Sequence, residues 1–194
     1  MGQYRAVQPE SDPEYERLNA WLRARHEHAF RESLREGTRL LTEGRPMDAL
    51  PFLQRAHKLE PENLDAVINL SSAYLLAGKP RHAVPILEAA IAIAPNSVQL
   101  WINLGAAYLG NRATATDERQ RRALAAFRRA LELDPLAPSV AYNIGLIHYD
   151  RGEIEEALLA FRSAVLADPE DRDARLMLAH MESLQARRRA NTEH

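Results

Sequence analysis

The residue types best suited to chemistry are few and poorly spaced for it. His26, Glu27 and His28 form the one cluster of metal-binding side chains. On a helix, residues two apart lie about 200° apart around the axis, so the two imidazoles cannot hold one ion. His28 and Glu32 share a face, but two ligands alone make a weak site. His148 stands in a column otherwise filled by Tyr74 and Tyr108, so it reads as a packed residue rather than a base. There is no cysteine, hence no thiolate site, disulfide framework or cysteine nucleophile. No glycine-rich phosphate loop, nucleophile elbow or paired-carboxylate spacing is visible. The sequence therefore predicts no catalytic residue, no metal and no cofactor.

What remains is recognition chemistry. Asn69, Asn103 and Asn143 each stand eight residues after a proline, Pro61, Pro95 and Pro135. A side-chain amide both donates and accepts, so a row of amides can bond the backbone of an extended peptide whatever its sequence. The same residues could instead bond a neighbouring helix.

The elements that position this row repeat. Pro61, Pro95, Pro135 and Pro169 are 34, 40 and 34 residues apart, and each follows a helix rich in Ala and Leu. A fixed period in this range is the mark of stacked supersecondary units. In residues 64–97, Val67, Leu70 and Tyr74 recur at helical steps, a Gly78-Lys79-Pro80 break follows, and Val84, Leu87 and Ile91 resume the period. Small residues, Ser71, Ala83 and Ala90, stand where the two helices must cross.

This unit resembles a tetratricopeptide repeat. The best copy carries Trp101, Leu104, Gly105 and Tyr108 on its first helix, then Ala123, Phe127, Ala130 and Pro135. The signature recurs as Val67, Leu70, Ser71, Tyr74, Ala83, Leu87, Ala90 and Pro95, and as Ile144, Gly145, His148, Ala157, Phe161, Ala164 and Pro169. The resemblance implies an all-α fold, a right-handed superhelical solenoid of about four repeats with capping helices. The expected divisions are a flexible segment 1–12 and a capping helix 13–29. Repeats follow over 30–63, 64–97, 98–137 and 138–171, then a capping helix 172–190 and a tail 191–194. Ser11 or Asp12 before Pro13 and Glu14 would start the first helix. From there either one long helix runs to Glu43 or two meet around residues 28–31. The first repeat is degraded, with Glu36 in the column of Leu70 and Ser33 in that of Trp101. Paired prolines, Pro46 with Pro51 and Pro80 with Pro85, predict late or kinked helix starts.

The third repeat is longer by six residues, and the excess lies in residues 111–122. The turn glycine of the other repeats is missing there, Thr114 with Asp117 resembles a cap, and the following helix should start early. It is either a tolerated insertion or a basic contact point built from Arg119, Arg121, Arg122, Arg128 and Arg129.

The resemblance places a ligand on the concave side, lined by the first helix of each repeat. The residues flanking the packing stripe there are Ile68, Asn69, Ser72 and Leu75; Ile102, Asn103, Ala106 and Leu109; and Tyr142, Asn143, Leu146 and Tyr149. The amides resemble the asparagine ladder of some peptide-binding members. Leu34, Ile68, Ile102, Tyr142 and Leu176 form one apolar line, and Leu41, Leu75, Leu109 and Tyr149 another. Members that clamp an acidic carboxylate carry Lys and Arg at places where this chain has Leu34, Thr38, Ile68, Ser72, Ser139 and Asn143, which disfavours that mode.

With 25 basic and 27 acidic residues the net charge is −2, which argues against gripping nucleic acid through its phosphates. Only Lys58 and Lys79 are lysine, a bias expected of a GC-rich bacterial genome. No run of about 18 apolar residues or signal-like core occurs, and Ala6 breaks a myristoylation pattern at Gly2. A cytoplasmic protein without membrane insertion is expected. The expected function is a non-enzymatic adaptor of chaperone-like kind, binding a peptide or amphipathic helix of a partner protein. The alternative is a self-associating scaffold whose groove takes the N-terminal helix of itself or another copy.

Overall fold

The computed structural model describes residues 13–137 and 139–192. The expected flexible segment 1–12, the cap at Ser11 or Asp12, and the last two residues of the expected tail lie outside them. The described residues hold nine α-helices and no strand: α1 Pro13–Thr42, α2 Pro46–Leu59, α3 Leu64–Leu76, α4 Pro80–Ile93, α5 Val98–Leu109, α6 Asp117–Leu133, α7 Val140–Asp150, α8 Ile154–Ala167 and α9 Arg172–Thr192. The chain divides into two compact units, one ending at Leu70 and one beginning at Ser71.

Repetition of local chemistry explains the elements. α1, α3 and α7 end at Gly44, Gly78 and Gly152, each with φ near 70°. The residue after each glycine donates its amide back to Leu40, Tyr74 or His148, closing the helix through a left-handed residue that a side chain would strain. α2 and α4 start at Pro46 and Pro80, the first turn being the place where a missing N–H costs nothing. The expected late start does not occur, although Pro51 and Pro85 lie inside these helices. At the other end, Glu60, Ala94, Asp134 and Asp168 donate to the carbonyls of Ala56, Ala90, Ala130 and Ala164, and a proline follows each.

In the first unit, α1 packs on α2 through Phe30, Ser33, Gly37 and Leu40. A Cβ on Gly37 would lie 2.5 Å from Leu53, so the two axes can approach this closely only without a side chain there. Ser33 is buried because its hydroxyl is satisfied by the Ala29 carbonyl at 2.7 Å. α1 is one unbroken helix, not two. Residues 13–29, the expected capping segment, form its first half and are exposed apart from half-buried Asn19 and Ala29. Glu36 is half-buried and pairs with Arg39.

In the second unit, neighbours in sequence are neighbours in space: α4 packs on α5, α5 on α6, α6 on α7, α7 on α8 and α8 on α9. The core is a column of fully buried Leu87, Phe127 and Phe161, flanked by Ala83, Ala123 and Ala157. Phe127 and Phe161 lie against Gly105 and Gly145, where added Cβ atoms would come within 2.5 and 2.7 Å of the rings. Trp101 donates its indole N–H to the Pro95 carbonyl at 2.8 Å. No described helix is long and apolar enough to cross a membrane.

Candidate partner-binding site

The three residues on α5, Ile102, Ala106 and Leu109, share one face, as do Tyr142, Leu146 and Tyr149 on α7. α5 and α7, together with the last turns of α3, belong to the second unit. Ile102 and Ala106 are half-buried, as are Ser72 and Leu75. Leu109 is buried in the core formed with Leu124, Phe127 and Ile147, and it is not available to a partner. The register of the repeat identifies the column, but a stacked neighbour decides which side of it is covered. Tyr142 and Leu146 rest against the cluster of Leu158, Phe161 and Met181. Tyr142 meets Phe161 edge-on at 5.7 Å, and burial pushes its hydroxyl up from the ordinary value. Tyr149 is exposed and meets His180 of α9 edge-on at 5.8 Å.

The asparagine row is spent differently at each step. In the first unit Asn69 donates to the Thr38 hydroxyl at 3.1 Å, and that hydroxyl donates in turn to Leu34. Half-buried Ile68 stands beside it. In the second unit Asn103 is buried, donating to Ser71 at 2.9 Å and Ser72 at 3.2 Å while accepting from Gln99 at 2.9 Å. An amide so engaged cannot meet a peptide, which removes Asn103 from the surface and corrects the ladder at that step. The place equivalent to Thr38 and Ser72 is Ala106, which has no hydroxyl, and Asn143 bonds the carbonyl of Ser139 in its own first turn at 2.9 Å.

The arginine patch is also largely neutralised. Arg121 pairs with Asp117 and Glu118 at 3.2 and 3.0 Å, Arg122 with Glu118 at 3.0 Å, and Arg129 with Glu132 at 2.8 Å. Arg122 also lies over the Tyr108 ring. The Tyr108 hydroxyl, held by burial and by its 2.5 Å bond to Glu88, is pushed up to about 12. Arg128 is exposed. Arg119 stands apart: its Nε donates to the Tyr108 carbonyl at 2.9 Å.

The insertion carries features that residue reading missed. Gly110, two residues before the expected glycine column, takes φ 56° and ends α5. A 3-10 turn, Arg112–Thr114, follows, and the cap of α6 is Thr116 rather than Thr114, accepting from Arg119. At 17 residues against 14 for α2, α4 and α8, α6 does start early. Arg112 pairs with Asp150 at 3.3 Å and Arg151 with Asp117 at 2.6 Å, tying the insertion to the next turn. Opposite charges one 34-residue period apart were the available signal for the second tie.

Of the residues singled out for chemistry, His148 and Glu27 are engaged by neighbouring side chains. Buried His148 lies 2.5 Å from Glu153. Hydrogen bonds from Arg151 first, then from His148, hold the Glu153 carboxyl below its ordinary range. Glu27 pairs with Arg31, one turn on. No three His, Cys, Asp or Glu side chains converge among the described residues.

Two family models described as tetratricopeptide repeat match the chain, over residues 40–84 and 115–172. Among solved structures it is similar to TTC0263, a thermophilic TPR protein of Thermus thermophilus, at 24% identity over 81% of this chain and 84% of that one, with a TM-score of 0.68. MamA from Desulfovibrio magneticus RS-1 gives 20% identity over 86% and 90%, TM-score 0.68. Pseudomonas aeruginosa PilF gives 19% over 84% and 71%, TM-score 0.69. No curated protein matches the sequence.

Proposed function

The chain belongs to the tetratricopeptide-repeat proteins, and from that premise we propose that it is a non-enzymatic scaffold that binds a peptide or amphipathic helix of a partner protein. The binding surface is the face of α5 and α7 in the second unit, with the end of α3. The observation that supports it is the half-open apolar set Leu75, Ile102, Ala106, Leu146 and Tyr149. Such a set is too extended to be a single stray surface residue, and an apolar patch of this kind is usually kept for a partner. With Asn103 buried, affinity comes from apolar contact rather than from an amide ladder. A cytoplasmic, bacterial setting and an adaptor or chaperone-like role accompany this reading.

Photo-crosslinking from residue 106 in cells, with an exposed position on α6 as control, identifies the partner. Binding of that purified partner is then compared between the native chain and a variant carrying Ile102→Ser and Tyr149→Ser. A loss of about tenfold or more is expected, since each truncation removes apolar burial worth about 1 kcal/mol. Equal affinity refutes this surface.

A second reading rests on a different observation. Tyr15, Leu18, Trp21 and Leu22 on the first half of α1 are 49, 52, 54 and 47% exposed. A stripe of this size suits self-association through α1.

A further inference from the structure

In the second unit, a cleft of about 740 Å³ opens between the Gly78 turn and the lengthened third repeat. Its apolar wall is Leu75, Leu76, Pro80 and Ala106, and its polar rim carries Lys79, Arg81 and Arg119. Among the described residues, no Asp or Glu lines it. The volume falls in the range of ordinary ligand pockets, enough for two or three side chains.

Arg119 is the built part of this cleft. The early start of α6 places it opposite the end of α5, where its Nε is fixed by the Tyr108 carbonyl at 2.9 Å. Its Nη2 then lies over Gly110, so close that a Cβ there would collide with it. Arg121, Arg122 and Arg129 on the same helix are held by acids. The terminal amino groups of Arg119 meet no acidic partner among the described residues, and neither do Lys79 and Arg81. A guanidinium already oriented and half-buried loses little freedom on meeting a carboxylate, and the charge-assisted bonds it makes are among the stronger ones.

We infer that this cleft receives an acidic side chain flanked by leucine-type residues in a segment of the partner protein. Charge complementarity selects the carboxylate, and the apolar wall selects its neighbours. The inference rests on the proposed partner surface, because Leu75 and Ala106 belong to both.

The test titrates the isotope-labelled full chain with the capped peptide acetyl-Ala-Leu-Glu-Leu-Ala-amide, following backbone amide shifts by NMR. Shifts are expected at Gly78, Lys79, Gly110 and Asn111. The peptide with Gln in place of Glu, and the native peptide on an Arg119→Gln chain, should each bind about tenfold or more weakly. Because Arg119 also holds the end of α5, the exposed pair Lys79→Gln and Arg81→Gln provides a second variant, expected to weaken the Glu peptide and leave the Gln peptide unchanged. Equal binding of the two peptides overturns the inference, as does the absence of shifts at the cleft. Binding only of a version with a free C-terminal carboxylate overturns the side-chain source. Shifts on α7 without any at the cleft overturn the cleft while sparing the partner face, and the partner face fails separately if the Ile102→Ser and Tyr149→Ser variant keeps its affinity for the crosslinked partner.

Discussion

Gly105 shows how one absent side chain sets the second unit. An added Cβ would stand 2.5 Å from the Phe127 ring, which is itself fully buried, so the ring or the helix must move. Gly105→Leu is expected to cost about 1–3 kcal/mol, measured as a lower urea midpoint; a neutral result would show that α5 and α6 do not cross at this residue. His57 makes a different kind of prediction. It is half-buried, its Nδ1 has no hydrogen-bond partner among the described residues, and burial holds its imidazole below the ordinary 6.5. The folded chain therefore binds this proton less readily than the unfolded one. Stability from this site is complete above pH 6.5 and is lost as pH falls from there through the lower folded value. Glu153, also shifted down, contributes fully above its ordinary 4.5 and loses that contribution only at more acid pH. His57→Gln should thus flatten the decline of the urea midpoint just below pH 6.5 while leaving the more acid decline in place. A variant that declines as steeply as the native chain in the upper window would show that His57 is not the group responsible.

Between helices, the amides distinguish holding from binding. Asn103 ties α5 to the end of α3 from a buried position, whereas Asn143 bonds only the first turn of α7. Asn103→Ala should cost about 1–3 kcal/mol by leaving the Ser71 hydroxyl without that donor, and Asn143→Ala should stay within about 0.5 kcal/mol. Equal effects in urea denaturation would return both residues to the surface. The contrast also marks what the sequence could express. Helix pairs, turns and the alanine and glycine columns were legible because each is dictated by residues within one 34-residue period: Gly78 ends its own helix, and Gly105 and Phe127 recur as Gly145 and Phe161. The fates of Asn103 and Leu109 were not, because they depend on the rotation of one helix against the next, and a single residue step turns a side chain by about 100°. The insertion was legible in length but not in form, since Thr114 and Thr116 have the same capping side chain, and in the structure it is Thr116 that accepts from Arg119. Arg119 stood among five arginines of like appearance, and what sets it apart is its bond to the Tyr108 carbonyl, while acids hold Arg121, Arg122 and Arg129 and Arg128 is exposed.

For the whole molecule, a net charge of −2 supplies little long-range field, so association must be decided by local surfaces. Two such surfaces differ in kind. The α5–α7 face is half-covered by its own neighbours, which suits a partner that completes the packing. The stripe on α1 is open on a helix that continues into the packed part of the first unit, so it is displayed on a rigid support. Glu14 and Glu16 stand at the start of this segment and Arg23 and Arg25 toward its end. Two copies laid antiparallel would place opposite charges beside paired Leu18 and Leu22, an isologous arrangement that closes on itself. Light scattering of the full chain over a dilution series should then give a mass above the 21.9 kDa of one chain at high concentration, falling to it on dilution. Leu18→Glu with Leu22→Glu should give the single-chain mass throughout while leaving the helical signal intact, because both residues are exposed. If the native chain also remains at the single-chain mass, self-association through α1 is refuted and the stripe becomes a second surface for the partner. If both chains are oligomeric, the contact lies elsewhere, and the α5–α7 face must then be tested as the interface between copies.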